Sequence, residues 1–242
     1  MKNIIGEKPF GELTGRHRRS VSFVPDEDIL NRDILDIGCR FGWCEVAFLK
    51  RDPKTMTGIE VSEDDLETVR ENVRDERVTL AVSGATKLPF ADRSFDTVVS
   101  WEVLEHIPVG TEHEMFSEVN RVLRPGGSFY FSTPNASFFS NLLDPAWLIA
   151  GHRHYSASRL TAYVDKAGLT VENVEILGSW WSIFSVVNMY VAKWLFRRSS
   201  FFNDKFVRRE DEEYNRPQSA GFANVFMHCR KPFETGPVRP VV

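Results

Sequence analysis

The sequence predicts an α/β fold: a mostly parallel β-sheet with helices on both faces. Two observations support this prediction. From Asp33 onward, short apolar runs alternate with segments of helical periodicity. The first of these runs, residues 34–37, is continuously hydrophobic apart from one acid, as expected of a strand that is buried on both faces. Alternating strands and helices build parallel sheets, in which ligands bind beyond the carboxyl ends of the strands.

Seven segments are predicted to be strands, and helical patterns lie between most of them. The predicted strands are residues 34–37, 55–60, 78–82, 97–101, 128–133, 169–177 and 222–229. The helical patterns cover residues 43–50, 62–73, 113–123 and 156–167. Motifs at the strand ends are therefore the first place to look for function.

Length and composition favour one soluble domain with appendages. The chain has 242 residues and a net charge of −4, so no overall positive field would attract nucleic acid. Its three cysteines are too few for a disulfide framework, which favours a reducing compartment. No cysteine–histidine cluster has zinc-ligand spacing, and we found neither a signal peptide nor a clear membrane span. We therefore expect a cytoplasmic protein without a metal.

We divide the chain into four parts. Residues 1–30 are expected to form an N-terminal flap or cap, and their basic cluster 16–19 is interpreted as a solvated segment in preference to a substrate flap. Residues 31–177 form the predicted ligand-binding core. Residues 178–221 are a predicted insertion serving as a substrate lid, and residues 222–242 supply the last strand and a tail.

A glycine-bearing turn follows the first predicted strand. Asp36 and Gly38 open it, and Glu60 ends the next strand. The dinucleotide fingerprint would also need glycines at positions 40 and 43, where Arg40 and Trp43 stand, and no Gly-Lys-Ser/Thr of a phosphate-binding loop follows. One carboxylate can accept hydrogen bonds from two vicinal hydroxyls. Taken alone, Asp36 fits a turn residue and Glu60 a solvated strand end. Two acids at successive strand ends, with a glycine turn between them, favour a shared ligand that carries a ribose.

This turn and four later motifs resemble the class I S-adenosylmethionine-dependent methyltransferases, above all the small-molecule branch that includes quinone-biosynthesis enzymes. The motifs are residues 34–42, 58–60, 84–96, 100–107 and 123–127. The resemblance implies a Rossmann-like sheet of seven strands with an antiparallel last strand, and S-adenosylmethionine as cofactor. The cofactor-binding residues that it implies are Asp36, Gly38, Cys39, Arg40, Gly42, Glu60, Val61, Ala85, Thr86 and Ser100.

Two positions depart from the family pattern. Arg40 stands where the family usually has glycine, and a side chain there strains the loop if the backbone needs a positive φ. Ala85 stands where an acid often contacts the adenine amino group. Losing that hydrogen bond would weaken cofactor binding by about 1 kcal/mol.

Three residues are candidates for chemistry on the acceptor. His106 follows the fourth strand, and His154 and Tyr155 follow the fifth, all on the expected ligand side. A histidine can remove the proton from an oxygen or carbon acid during methyl transfer. The alternatives are a structural histidine at a helix start for His106, and a polar loop that caps a helix for the other two.

Residues 180–202 are unusually rich in aromatic and apolar side chains, and basic residues follow them. One interpretation is a cap helix packed over the sheet. The other is an amphipathic helix that receives a hydrophobic substrate or makes peripheral contact with a membrane.

The predicted function is methylation, at oxygen or carbon, of a small-molecule or lipid- or sugar-linked acceptor. The alternative is a non-catalytic partner subunit that keeps the fold, favoured by Arg40 and Ala85. A nucleic-acid methyltransferase is less favoured, because the net charge is −4 and no Asn-Pro-Pro-Tyr motif is present.

Overall fold

The computed structural model describes residues 12–143, 147, 151–196, 203–215 and 221–233. Its strands are β1 Asp33–Ile37, β2 Thr55–Glu60, β3 Val78–Val82, β4 Phe95–Trp101, β5 Leu123–Pro134, β6 Thr170–Leu177 and β7 Asn224–Arg230. Its helices are α1 Gly15–Phe23, α2 Trp43–Leu49, α3 Glu63–Asn72, α4 Glu112–Val122, α5 Phe138–Leu143, α6 Ala157–Lys166, α7 Trp180–Phe196 and α8 Asn203–Tyr214.

The seven strands form one sheet in the order β3-β2-β1-β4-β5-β7-β6. Neighbouring strands from β3 to β5 pair in parallel, whereas β7 runs antiparallel to both β5 and β6. The predicted fold class, a mostly parallel seven-stranded sheet with an antiparallel last strand, is confirmed. The strand order reverses between β1 and β4, so a ligand crevice is expected at their carboxyl ends.

Apolar cores lie on both faces of the sheet. On one face, Phe116 of α4 and Leu160 of α6 pack against Phe129 of β5, and all three are fully buried. On the other face, Phe23 of α1 meets Tyr130 of β5 edge-to-face, with ring centroids 5.8 Å apart. Burial of each such side chain stabilises the folded chain by about 1.5–3 kcal/mol. This packing holds in place the strand ends that form the site.

Helix α8 joins the N-terminal helix to α7. It packs against both helices. The Asp211 carboxylate accepts hydrogen bonds from the Gly15 amide at 2.8 Å and from Arg18 Nη1 at 2.7 Å. The Glu213 carboxylate accepts from the amides of Ser179, at 2.9 Å, and Ser182, at 3.0 Å, at the start of α7. The predicted insertion 178–221 thus contains two helices, and its use as a substrate lid stays a prediction.

Parts of all four predicted segments lie outside the described residues. They are residues 1–11 of the N-terminal flap, residues 144–146 and 148–150 of the core, residues 197–202 and 216–220 of the insertion, and residues 234–242 of the tail. None of the helices in the described part of the chain is long and apolar enough to cross a membrane.

The basic cluster 16–19 is not the solvated segment that we expected. Arg16 pairs with Glu102 at 2.9 Å, Arg18 with Asp211 at 2.7 Å, and Arg19 with Glu175. The partners belong to β6, α8 and the residue just after β4, so α1 is fastened across the sheet by its basic side chains.

Strand β5 begins earlier than predicted. The predicted strand was 128–133, but Pro125, Gly126 and Gly127 also lie inside Leu123–Pro134, and the pairing with β4 shifts register between Phe95 and Thr97. A Cβ at Gly127 would lie 2.8 Å from the carbonyl oxygen of Asp96. The irregular pairing therefore depends on a glycine at this point.

Candidate active site

The turn after β1 is tied to the end of β2. The amides of Gly38 and Cys39 donate to the Ile59 carbonyl at 2.9 and 3.1 Å. Gly38 and Gly42 have φ values of +83° and +82°, a region that glycine enters without a steric penalty. The turn therefore places two residues without side chains at the carboxyl edge of the sheet.

Glu60 is oriented by backbone amides from two strand ends. Its Oε1 accepts from the Arg40 amide at 3.2 Å, and its Oε2 accepts from the Val61 amide at 3.0 Å. Burial raises the pKa of Glu60, and the Val61 amide opposes that rise. Arg40 has a φ of +48°, so the strain anticipated for a side chain at this position is present. Its guanidinium lies over the Phe41 ring, 4.8 Å from the centroid.

Asp36 is buried, and its Oδ1 has no hydrogen-bond partner among the described residues. Burial is the main reason that its pKa rises to about 7, and the charge of Glu60 adds to the shift. An unpartnered buried carboxylate oxygen is costly. A cationic group of a ligand placed beside Asp36 would offset this cost.

Glu45 is a second buried acid at this turn, and sequence reasoning missed it. Both of its carboxylate oxygens are buried beside the Asp36 carboxyl. Burial and the neighbouring Asp36 hold its pKa well above the usual range. Two adjacent buried carboxyls do not both ionise, so the pair holds a proton near pH 7. The absent Cβ of Gly58 makes the room, because that atom would lie 2.7 Å from Glu45 Oε1.

The other predicted cofactor residues lie along the same edge of the sheet. Val61 follows β2 and is 73% exposed, whereas Cys39 is buried, which leaves its backbone as the part a ligand could reach. Ala85 is buried and Thr86 half-buried in the loop after β3. Ser100 is buried near the end of β4.

His106 lies in the loop after β4 and is only partly exposed to solvent. It meets the ring of His152 edge-on, with centroids 4.4 Å apart. Desolvation lowers the pKa of His106, and the positive charges of His152, Arg40 and Arg153 lower it further. The imidazole is therefore neutral at pH 7 and able to accept a proton.

The two other candidates have hydrogen-bond partners of their own. The His154 Nδ1 is hydrogen-bonded to Asn141 Oδ1 of α5 at 2.7 Å. Tyr155 is fully buried, and its hydroxyl donates to Glu112 Oε1 at 3.0 Å and to the Leu104 carbonyl at 3.3 Å. With no exposed surface, Tyr155 is placed to support the loop after β4 and not to touch an acceptor.

A polar cluster beside His106 was also missed. Glu102, just after β4, has a φ of +57°. Its carboxylate accepts from Arg16 Nη1 at 2.9 Å, Ser132 Oγ at 2.6 Å and Asn224 Nδ2 at 2.9 Å. These partners come from α1, β5 and β7, so Glu102 ties three elements to the carboxyl end of β4. Among the residues that the structure describes, no three histidines, cysteines or acids are grouped to hold a metal ion.

Comparison with known proteins identifies the core. Residues 34–127 match the family model described as a methyltransferase domain. This match and the relatives described below support a class I S-adenosylmethionine-dependent methyltransferase domain over these residues.

Two relatives and one solved structure illustrate the likeness. A Mycolicibacterium smegmatis protein, named as a probable S-adenosylmethionine-dependent methyltransferase, is 34% identical over 59% of this chain and 53% of its own length. The ubiquinone biosynthesis O-methyltransferase of Methylococcus capsulatus is 32% identical over 56% of this chain and 59% of its own length. A Haloferax volcanii complex of the Trm112 methyltransferase activator with a methyltransferase shares the fold, with a TM-score of 0.66, 18% identity, and 90% and 89% of the two chains covered. The chain thus spans little more than half the length of these two relatives.

The residues of this methyltransferase domain fit S-adenosylmethionine, the cofactor of such domains. Gly38 and Gly42, both at positive φ, shape the backbone of the turn at the carboxyl edge of the sheet. The unpartnered Asp36 oxygen would be stabilised by positive charge, which a sulfonium or an ammonium group supplies. Glu60 presents an oriented carboxylate suited to vicinal hydroxyls.

Proposed function

We propose that this methyltransferase acts on a small molecule with a long apolar part, such as a lipid-linked acceptor, and methylates an oxygen or carbon acid. The supporting observation is an exposed aromatic surface at the acceptor end of the sheet. We call it the aromatic ridge, and it consists of Phe138, Phe139, Trp180, Phe184 and Phe222.

The ridge is continuous and only partly covered. Phe138 is 73% exposed, and Trp180 and Phe184 are 42% and 46% exposed. Ring centroids lie 4.9 Å apart between Phe139 and Trp180, and 5.3 Å apart between Trp180 and Phe222. A contiguous apolar patch of this kind is typical of a surface that meets a ligand, a partner or lipid.

The ridge lies at the same edge of the sheet as His106. Helix α5 follows the carboxyl end of β5, α7 follows that of β6, and Phe222 precedes the antiparallel β7. The hydrogen bond between His154 and Asn141 links α5 to the loop that carries His152, whose ring meets His106. An acceptor with its apolar part on the ridge would have its polar end near His106.

The chain's own residues then have distinct tasks. Asp36 and Glu60 would hold the cofactor, which supplies a methyl group on a sulfonium when bound. His106 would take the proton from the acceptor hydroxyl or carbon acid, a contribution of about 10²–10⁴-fold in rate. Fixing nucleophile and methyl group in line can supply about 7–11 kcal/mol more.

The same ridge supports the proposal of peripheral membrane contact. Helix α7 contains no acidic residue, and the exposed Lys205 of α8 lies 5.9 Å from the ring centroid of Trp181. Aromatic and basic side chains together favour the interface of an anionic membrane. Binding to vesicles of phosphatidylglycerol and phosphatidylcholine, compared with pure phosphatidylcholine, tests this part.

The main test follows labelled methyl from S-adenosylmethionine into fractionated cell extract. We expect label in the organic-soluble fraction, and about 10²–10⁴-fold less with His106→Ala. His113→Ala is the matched control, because this exposed histidine lies on α4. Label confined to the aqueous fraction would overturn the apolar acceptor, and undiminished transfer by His106→Ala would overturn the base. Cofactor binding without any transfer would favour the non-catalytic partner subunit.

A further inference from the structure

Arg153 lies between α5 and α6, but its guanidinium donates to the loop after β4. We call residues 102–108 the post-β4 loop. Arg153 Nη2 donates to the carbonyls of Leu104, at 2.9 Å, and Ile107, and Nε donates to the carbonyl of Glu105 at 3.4 Å. Two of these carbonyls flank His106 on either side along the chain.

The guanidinium also lies over the Tyr155 ring, 5.8 Å from its centroid, and forms an ion pair with α4. Arg153 Nη1 lies 2.7 Å from Glu112 Oε1, and the two side chains are only 19% and 4% exposed. Burial acts to raise the pKa of Glu112, but its own backbone amide, the Tyr155 hydroxyl and the charge of Arg153 outweigh that effect. Glu112 is therefore ionised, and it anchors both Arg153 and Tyr155.

Arg153 is also joined to the site through the chain itself. Its neighbour His152 presents its ring edge-on to His106 at 4.4 Å. Fixing Arg153 thus fixes His152 beside His106, while the three carbonyl contacts fix the backbone of the post-β4 loop. The planar guanidinium donates to three carbonyls and one carboxylate at once. Lysine could not replace all of these hydrogen bonds, because it has a single ammonium group.

We propose that Arg153 is a positioning residue, which holds the post-β4 loop and thereby sets the direction of the His106 ring towards the acceptor. This inference rests on the proposed role of His106 as the base. Tyr155 contributes indirectly, by holding Glu112 and the Leu104 carbonyl.

The test is Arg153→Lys in the full chain, which keeps the charge and removes the fork. The titration of His106 is followed by NMR in protein with ¹³C-labelled histidine, saturated with S-adenosylhomocysteine. We expect the pKa of His106 to rise towards the ordinary histidine value of about 6.5, because the loosened ring becomes better solvated. Transfer of labelled methyl to the organic-soluble fraction of cell extract should fall about 10²-fold, with S-adenosylhomocysteine affinity within about twofold of wild type.

Arg159→Lys is the matched control. Arg159 lies over the same Tyr155 ring, at 5.4 Å, but its hydrogen bond goes to Tyr163 and not to the post-β4 loop. This variant should leave both readouts unchanged. If Arg153→Lys does not fold, Tyr155→Phe replaces it and should shift the His106 titration in the same direction by less.

A double-mutant cycle separates positioning from general stability. If Arg153 acts through His106, Arg153→Lys causes no further loss of transfer in a His106→Ala background. Equal losses in both backgrounds, or an unchanged His106 titration in folded Arg153→Lys, would overturn the inference. Undiminished transfer by His106→Ala alone would overturn the proposed base, and the titration still reports on whether Arg153 holds the loop.

Discussion

A Cβ atom on Gly38 would lie 2.4 Å from Cγ2 of Val103. The turn after β1 and the post-β4 loop therefore meet at a point where only glycine fits. Gly38→Ala should lower the free energy of unfolding by about 1–3 kcal/mol through strain at positive φ, with a further loss from the clash. Urea unfolding followed by circular dichroism measures the change.

Two variants make the Gly38 prediction specific. Gly84→Ala is the control, because a Cβ at that position would have no neighbouring atom within 4 Å and its φ is not positive. Val103→Ala should restore part of the stability lost in Gly38→Ala by removing the clash. No rescue would show that backbone strain alone is responsible.

Replacing Glu60 tests the predicted ribose contact. Glu60→Ala removes a carboxylate oriented by the amides of Arg40 and Val61, so S-adenosylhomocysteine binding should weaken by about 1–3 kcal/mol in calorimetry. Asp64→Ala, an exposed acid in the first turn of α3, is the matched control and should bind normally. Equal affinity in both variants contradicts the assignment of Glu60.

Cofactor affinity should depend on the ionisation of Asp36. Its pKa is about 7, raised mainly by burial, and the ionised form favours a cationic ligand. Affinity for S-adenosylmethionine should therefore rise with pH through 7, by up to roughly tenfold between pH 6 and pH 8. Calorimetry at several pH values measures this. A slope that persists in Asp36→Asn would assign the titration to Glu45, Glu60 or the ligand.

The pH profile of transfer should carry the signature of His106. Because desolvation and nearby positive charges lower its pKa below 6.5, the ring stays neutral from pH 6.5 upwards. At saturating S-adenosylmethionine, the rate should be flat between about pH 6.5 and 8 and fall only at lower pH, with the acid limb lost in His106→Ala. An acid limb centred at or above pH 6.5 would be inconsistent with this environment.

Glu213 should hold the predicted lid in place. Its carboxylate accepts from the amides of Ser179, Trp181 and Ser182 at the start of α7. Glu213→Gln removes the negative charge from a helix N-terminus and one acceptor, which should cost about 1–3 kcal/mol. Hydrogen exchange of the α7 amides should quicken and transfer should fall, with cofactor affinity retained. The exposed Glu212→Gln is the control, and unchanged exchange in Glu213→Gln would contradict an anchoring role.

Excision of residues 180–215 would not be a clean test of the lid. Tyr214 is buried, donates to Asn224 at 2.7 Å, and packs against Phe226 of β7. Removing it would damage the core itself, so a point variant such as Glu213→Gln is the better experiment.

The central strands were predictable because their signals are local. Residues 34–37 form a short apolar run before a glycine turn, and the two features are adjacent in the sequence. The carboxyl end of β2 was predictable in the same way, because an acid at the end of a buried strand indicates the ligand-binding edge of the sheet. The antiparallel last strand came from the family resemblance, and the pairing of β7 confirms it.

The missed contacts join distant positions or depend on burial. Arg16 and Glu102 are 86 residues apart in the sequence, and no local sequence pattern predicts their ion pair. Glu45 is charged and near a helix start, where an acid normally faces solvent, so its burial under Gly58 follows only from the packed structure. Tyr155 illustrates the same limit, because its sequence position gives no sign that Glu112 holds its hydroxyl.

The position of β7 between β5 and β6 has a consequence for synthesis on the ribosome. About ninety residues separate the end of β5 at Pro134 from the start of β7 at Asn224. At about 5–20 residues per second, the nascent chain leaves one edge of β5 unpaired for roughly 5–18 s. Once β6 has been synthesised, it too has no strand to join until β7 follows. An open strand edge recruits other strands. Chaperone dependence during translation should therefore be concentrated in this interval, and it should end when Asn224–Arg230 emerges from the ribosome.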